Sequence, residues 1–248
     1  EVMAAAGVPT AVSATFQDLA GALRYVDRHP EPLVVKASGL AAGKGAVVCA
    51  TRSEAAGVLR AMLGDGKFGD AGRTVVIESF LQGEEISVLA VTDGRDFELL
   101  PVSQDHKRLL EGDTGPNTGG MGAYSPVSVA TPSLLARVGR EVLVPTLEAM
   151  QRRKTPFAGV LYAGLMVDES GVPWVVEFNC RLGDPETQVV LPLVSDGLTD
   201  CLWQVAHGEG VSPIRRRPGA SVTTVLASSG YPDAPRRGAA ITIPDGLP

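Results

Sequence analysis

Histidine and cysteine are scarce: the 248 residues hold three of each. His29, His106 and His207 lie far apart, which argues against a histidine-rich metal site. Cys49, Cys180 and Cys201 form no CxxC pair, and their number is odd. A disulfide framework and a structural zinc site are therefore not expected, and a reducing cytoplasm is. No run of about 18 uncharged apolar residues occurs, so no transmembrane helix is expected. No signal-peptide pattern is visible either. Basic residues are outnumbered, 22 against 28, for a net charge of −6. Such a balance argues against non-specific nucleic-acid binding, though it leaves room for a local phosphate site. The sequence opens at Glu1 rather than Met and stops at "ITIPDGLP" in mid-pattern, so it is expected to be a piece of a longer protein.

What is present is enough for a sizeable core: 44% of residues are hydrophobic. Glycine (29) and proline (18) exceed average usage, and the glycines cluster in a way that predicts tight loops. Strands are predicted at 10–16, 32–38, 46–51, 74–80 and 85–94, with a further strand leading into a long loop at 104–126. Helices are predicted after Gln17, from Ser53 as N-cap, and over 131–153 with Thr131 as N-cap and Pro132 in the first turn. A hairpin should turn at Ser170–Gly171, followed by a helix near 197–208 and a strand near 219–226. Strands often follow strands directly. The expected class is therefore α+β with mainly antiparallel sheets, not a doubly wound parallel sheet. A seam near 204–219, rich in Gly, Pro and Arg, marks a subdomain boundary.

Four segments carry the chemistry. In "VVKASGLAAGKGAVV", Gly39, Gly43 and Gly45 let backbone N–H groups close on an anion, and Lys44 adds a point charge. The spacing is not that of a P-loop, and a strand rather than a helix follows. Lys36 stands inside an apolar strand; it either serves the site or faces solvent. In "VVIESFLQGEE", the chain edge at Glu78, Ser79, Phe80 and Leu81 suits a nucleotide base, and Glu85 suits a ribose. The alternative is a plain connection with solvated acids. In "SQDHKRLLEGDTGPNTGGMGAYSP", charged Asp105 and Lys107 precede a loop with five glycines, of the length that is either functional or disordered. In "VVEFNCRLGDPETQ", Glu177, Asn179 and Arg181 alternate and would share one strand face. A carboxylate and an amide oxygen are hard ligands fit for Mg²⁺, and Arg181 could meet a developing negative charge. Asp168 is either another ligand or a turn residue of "DESG".

These four segments, in this order, resemble the ATP-grasp ligases, and within them the glycinamide ribonucleotide synthetases. The run "DTGPNTGGMGAYSP" carries the narrower resemblance; "EFN" carries only the broader one. The resemblance implies ATP held between two α+β lobes: a lid at about 10–78 and a larger lobe at about 79–204, together an ATP-grasp domain over 1–204. Residues 205–248 would begin a C-terminal subdomain. It further implies that Lys36 and Lys44 hold phosphates, that the backbone near Ser79–Leu81 reads adenine, and that Glu177 and Asn179 hold Mg²⁺ or Mn²⁺. Two positions depart from the family pattern: Ser38 stands where Asp is usual, and Ser79 where a second Glu is. The implied reaction joins glycine to 5-phosphoribosylamine through glycyl phosphate in de novo purine biosynthesis, in the cytoplasm, without nucleic-acid or membrane partners. Arg181 and Lys107 would act on the reacting groups. Asp105, Asn117, Thr118 and Asp184 would contact glycine and the sugar phosphate. No side-chain nucleophile is needed, in keeping with the lack of a Ser–His or Cys–His arrangement. The alternatives are another ATP-grasp carboxylate–amine ligase, or a non-catalytic ATP-binding module.

Overall fold

The computed structural model describes residues 2–39, 45–112, 114–244 and 246. Two antiparallel sheets, each with its own helices and core, face each other across a cleft. The first sheet has strands β1 (Ser13–Phe16), β2 (Leu33–Ala37), β3 (Ala46–Cys49) and β4 (Val75–Ser79), in the order β1-β4-β2-β3. Helices Leu19–Val26 and Arg52–Leu59 pack on one side of it, burying Val26, Leu33, Val35, Leu59 and Ile77. The second of these helices starts earlier than its sequence suggests. Thr51, not Ser53, is the N-cap: its side chain accepts from Glu54 N, and Glu54 Oε2 accepts in turn from Ala50 N. That is the reciprocal pattern of a capping box, one residue wider on the carboxylate side.

The second sheet is built from β5 (Glu84–Thr92) and β6 (Phe97–Leu99), together with two later strands. Between them the chain forms the short strands β7 (Gln104–Asp105), β8 (Arg108–Leu110), β9 (Thr114–Asn117) and β10 (Gly122–Ser125). The segment expected to be one long loop is thus a series of paired strands. Gly120 shows why its glycines are needed. Its φ is +120°, and a Cβ there would stand 2.3 Å from Pro185 Cδ. Gly120→Ala should therefore cost about 2–3 kcal/mol, through strain and overpacking. A denaturant midpoint equal to that of the wild type would mean that loop and turn do not pack as seen.

Strands β11 (Gly159–Val167) and β12 (Pro173–Asn179) complete the second sheet, in the order β12-β11-β5-β6. Residues Ile86 to Thr92 of β5 are all buried because both faces of the sheet are covered. Ile86, Val88 and Ala90 face the helical run 132–152, with Val138, Val142 and Leu147. Leu89 and Val91 face the other way, toward Val189, Val190 and Cys201. Thr131 caps the helical run by accepting from Leu134 N, as its position before Pro132 predicts. After helix Leu198–His207, β14 (Arg215–Arg216) pairs with β13 (Val194–Asp196), and β15 (Ser221–Thr224) pairs with β10. The β11–β12 hairpin turns at Asp168–Gly171. Asp168 accepts from Ser170 N, Val172 N and Trp174 Nε1. The Trp174 and Ser170 side-chain bonds draw its carboxyl down to about 2. Asp168 is a turn residue, its carboxylate taken up by the hairpin's own N–H groups.

Candidate active site

A cavity of about 300 Å³ lies between the two sheets. One end is apolar: Val34, Ala46 and Val48 come from the first sheet, Met166 and Val176 from the second, and Phe80 and Leu81 from the connection between them. The gap suits a planar aromatic base. Ser79 lines it too, but its N–H already donates to Val12 O at 2.9 Å. The backbone edge open to a base is left to Phe80 and Leu81, whose N–H groups have no backbone partner among the described residues.

The other end is charged. Lys36 reaches across the cleft, pairing with Glu78 Oε2 at 2.7 Å and donating to Val176 O at 3.2 Å. That carbonyl is available because β12 bulges there: Gly164 pairs with Glu177 and Leu165 with Val175, so Val176 is skipped. Bulges commonly re-aim side chains beside functional sites. Glu177 and Asn179 follow the bulge on one face and touch, Asn179 Nδ2 donating to Glu177 Oε1 at 3.1 Å. The strand ends at Asn179. Arg181 is therefore not the third residue of a strand face; it projects from the following turn, Nη1 donating to Leu182 O, and still lines the same cavity.

Glu85 pairs with Lys107 at 2.5 Å, and Asp105 Oδ2 lies 3.9 Å from the same ammonium. Burial alone would lower the Lys107 pKa, but the charges of Glu85 and Asp105 outweigh it and hold it above its ordinary value. Asp105 is pushed up to about 6, chiefly by burial, with Lys107 opposing. A carboxyl whose folded pKa is raised adds stability below its unfolded pKa and loses that contribution as pH rises through the folded value. Asp105→Asn should therefore flatten the stability profile between pH 4 and 6.5. At pH 7 it should gain up to about 3 kcal/mol, with Glu85 still neutralising Lys107. Parallel denaturation curves at four pH values would check this; a variant as pH-dependent as the wild type would contradict it.

Asn117, Thr118 and Asp184 line the cavity as well. The Thr118 hydroxyl donates to Lys107 O at 2.9 Å and accepts from Gly120 N, so it braces the hairpin. Asp184 accepts from Gln188 Nε2 at 2.7 Å. Gly39 and Gly45 stand at the ends of the glycine-rich segment rather than in the cavity wall. Gly39 donates to Ala71 O, and a Cβ on it would meet Ala71 Cα at 2.5 Å; Gly45 O accepts from Ala37 N. Gly43 and Lys44 lie outside the described residues. Sequence reasoning missed Tyr162 and Glu186 at the inner wall, and Val34, Val48 and Met166 at the apolar end. The signal for Tyr162 was a phenol inside a buried strand, which needs a hydrogen-bond partner.

Among the described residues, six carboxylates (Glu78, Glu85, Asp105, Glu177, Asp184, Glu186) and three cations (Lys36, Lys107, Arg181) line the cavity. That excess of negative charge would repel a bare polyphosphate and accept one carried with a divalent cation. Glu177 and Asn179 supply the oxygen donors such a cation takes.

Two sheet-and-helix lobes that enclose a cleft, with an acid and an amide side by side on its wall, fit the ATP-grasp class. Residues 1–187 match the family described as phosphoribosylglycinamide synthetase, ATP-grasp (A) domain, and the chain belongs to that family. It is 51% identical to a phosphoribosylamine–glycine ligase of Ralstonia nicotianae over 98% of this chain and 57% of that protein. It is 49% identical to another of Nostoc over all of this chain and 58% of that protein. The crystal structure of the Thermotoga maritima phosphoribosylamine–glycine ligase superposes with a TM-score of 0.87 at 36% identity, covering 98% of this chain and 61% of that one. A Campylobacter jejuni biotin carboxylase–β-γ-ATP complex shares the fold, with a TM-score of 0.72 at 18% identity over 94% of this chain and 51% of that one. The chain spans a little over half the length of these curated relatives. No helix among the described residues is long and apolar enough to cross a membrane.

Proposed function

We propose that this chain is the nucleotide-binding and catalytic core of a cytoplasmic ligase of de novo purine biosynthesis, which uses ATP to join glycine to 5-phosphoribosylamine. The observation that carries the reading is the meeting of Lys36, Glu78–Leu81, Asp105, Lys107, Glu177, Asn179 and Arg181 around one cavity. Half-identical relatives bearing that activity in their names support it. Lobes at about 10–78 and 79–204 form the ATP-grasp unit, and residues 205–248 begin a further one, tied back by β14 and β15.

In this reading the base of ATP sits at the apolar end, against Val34, Val48 and Met166, with Phe80 and Leu81 reading its edge. The ribose lies near Glu85. Lys36 and Lys44 meet the phosphates. Glu177 and Asn179 would hold Mg²⁺ or Mn²⁺, which neutralises charge on the phosphates when bound. The glycine carboxylate oxygen attacks the γ-phosphorus, and ADP leaves. The amine of phosphoribosylamine then attacks the acyl carbon, the C–O bond to phosphate breaks, and the nitrogen loses a proton. Arg181 faces the oxygen on which charge grows in both steps, and Lys107 neutralises the carboxylates beside it. Asp105, Asn117, Thr118 and Asp184 line the substrate end.

The test is phosphate release from Mg-ATP by the full-length protein, with glycine and with phosphoribosylamine made in situ, each omitted in turn. Release that requires both supports the proposal. Release that needs neither, or only a different acid or amine, discards this substrate pair.

A further inference from the structure

The connection from β9 to β10, residues 118–121, forms part of the cavity wall, which Asn117, Thr118 and Gly119 line. Its backbone N–H groups are tied one by one. Thr118 N donates to Lys107 O at 2.7 Å, and Met121 N to His106 O at 2.7 Å. Gly120 N donates to the Thr118 hydroxyl at 3.1 Å. Those three bonds stay within residues 106–121. The fourth does not. Gly119 N donates to Tyr231 Oη at 3.0 Å, from a residue 112 positions further along the chain.

Tyr231 is set in place by bonds other than this one. β15 lies along β10 from Ser221 to Thr224, and Val225 N extends the contact by donating to Met121 O at 2.8 Å. The chain then turns. Tyr231 N donates to Ser228 O, Ala234 N to Gly230 O and Arg236 N to Ser229 O. Gly230 makes that turn possible: its φ is +88°, and a Cβ on it would stand 2.3 Å from Ala234 O. A strand and a closed turn thus deliver the phenol to the cavity wall, where Tyr231 is half-buried. The wall itself needs such help, because Gly119 and Gly120 are adjacent and glycine loses the most conformational freedom on being fixed.

We propose that Tyr231 is a positioning residue of the reaction: by holding the Gly119 N–H, its hydroxyl keeps the Asn117–Gly119 wall in the form that receives the two small substrates. Tyr231 is not among the residues that line the cavity, so it acts through the wall and not on a substrate. The bond also ties the segment beyond residue 205 to the site itself, and gives that segment a part in catalysis besides stability. The identity of the substrates rests on the ligase reading above; the brace does not.

The experiment uses the full-length protein and the variants Tyr231→Phe and Tyr231→Ala. It measures amide hydrogen exchange across residues 117–122, and the KM values for glycine, for phosphoribosylamine made in situ and for ATP. In Tyr231→Phe the Gly119 amide should exchange about three to ten times faster, the scale of losing one neutral hydrogen bond. The Thr118 and Met121 amides, held by Lys107 O and His106 O, should stay within about twofold. The KM of at least one small substrate should rise by about three- to tenfold. The KM for ATP should stay within about twofold, because the nucleotide end is built from other elements. Tyr231→Ala, which also loses the ring, should raise the same KM by a similar factor. Unchanged exchange at Gly119, or unchanged KM values for both small substrates, overturns the proposal. So does a rise of all three KM values together, which marks a general loss of structure. A Phe variant like the wild type beside an impaired Ala variant overturns it too, since the ring and not the hydroxyl would then matter. A wild-type protein that ignores both small substrates overturns the ligase reading, a separate result, and the exchange at Gly119 still decides whether Tyr231 holds the wall.

Discussion

Glu177→Gln should reduce Mg-ATP-dependent turnover by roughly a hundredfold or more, the scale of losing a ligand to a catalytic cation. The melting temperature should move by no more than about 2 °C, as for an exposed side chain outside any core. The reasons lie in the position. Glu177 is exposed, belongs to no ion pair among the described residues, and touches Asn179 through its Oε1. It follows the bulge at Val176, so the carboxylate stands where the ladder is already irregular, and an amide of the same shape disturbs little. The negative charge is lost, and that charge is what a hard divalent cation requires. Binding of ATP measured in the presence of a chelator should be nearly unchanged, while the Mg²⁺ concentration for half-maximal turnover should rise. Normal turnover at low millimolar Mg²⁺ would falsify the metal assignment. Equal losses of turnover and of chelator-insensitive ATP binding would instead place Glu177 against the nucleotide itself.

Much of this architecture is readable in the chain, for local reasons. Thr131–Pro132 starts a helix wherever it occurs before an apolar period, and Asp168–Gly171 turns a hairpin through its own side-chain bonds. Lys36 was conspicuous because a lysine in an apolar strand needs a partner; in the fold it has Glu78 and the Val176 carbonyl. What was not readable depends on distant partners. The segment 104–126 has the composition of a loop, yet β10 is a strand because β15, about a hundred residues later, lies beside it. The bulge at Val176 exists only in the pairing of β11 with β12, so strict alternation placed Arg181 on a strand that ends at Asn179. Glu186 stood in plain view in "GDPETQ", but its environment is made by Ser87 and Tyr162, and no spacing in the chain brings those three together.

Arg181→Ala should lower kcat by roughly 10²–10³, the usual loss for one donor aimed at a developing oxyanion. ATP affinity should change by no more than about threefold, because uniform binding and transition-state binding are separable. Three cations among the described residues line the cavity, and they are not equivalent. Lys36 is neutralised by Glu78, and Lys107 by Glu85 and Asp105, so both stand in balanced pairs before any ligand arrives. Arg181 has no carboxylate partner among the described residues; its one bond is from Nη1 to the Leu182 carbonyl. Its remaining N–H groups are free to meet an oxygen whose charge grows during reaction. It also sits just beyond the strand end and lines the cavity with Asn179 and Asp184, the place that the proposed reading gives to the reacting groups. Arg181→Lys restores the charge without the planar fork, so it should recover only part of the lost kcat. Full recovery by lysine would mean that a point charge suffices. A loss confined to ATP affinity, with kcat intact, would move Arg181 from the reacting groups to the bound nucleotide.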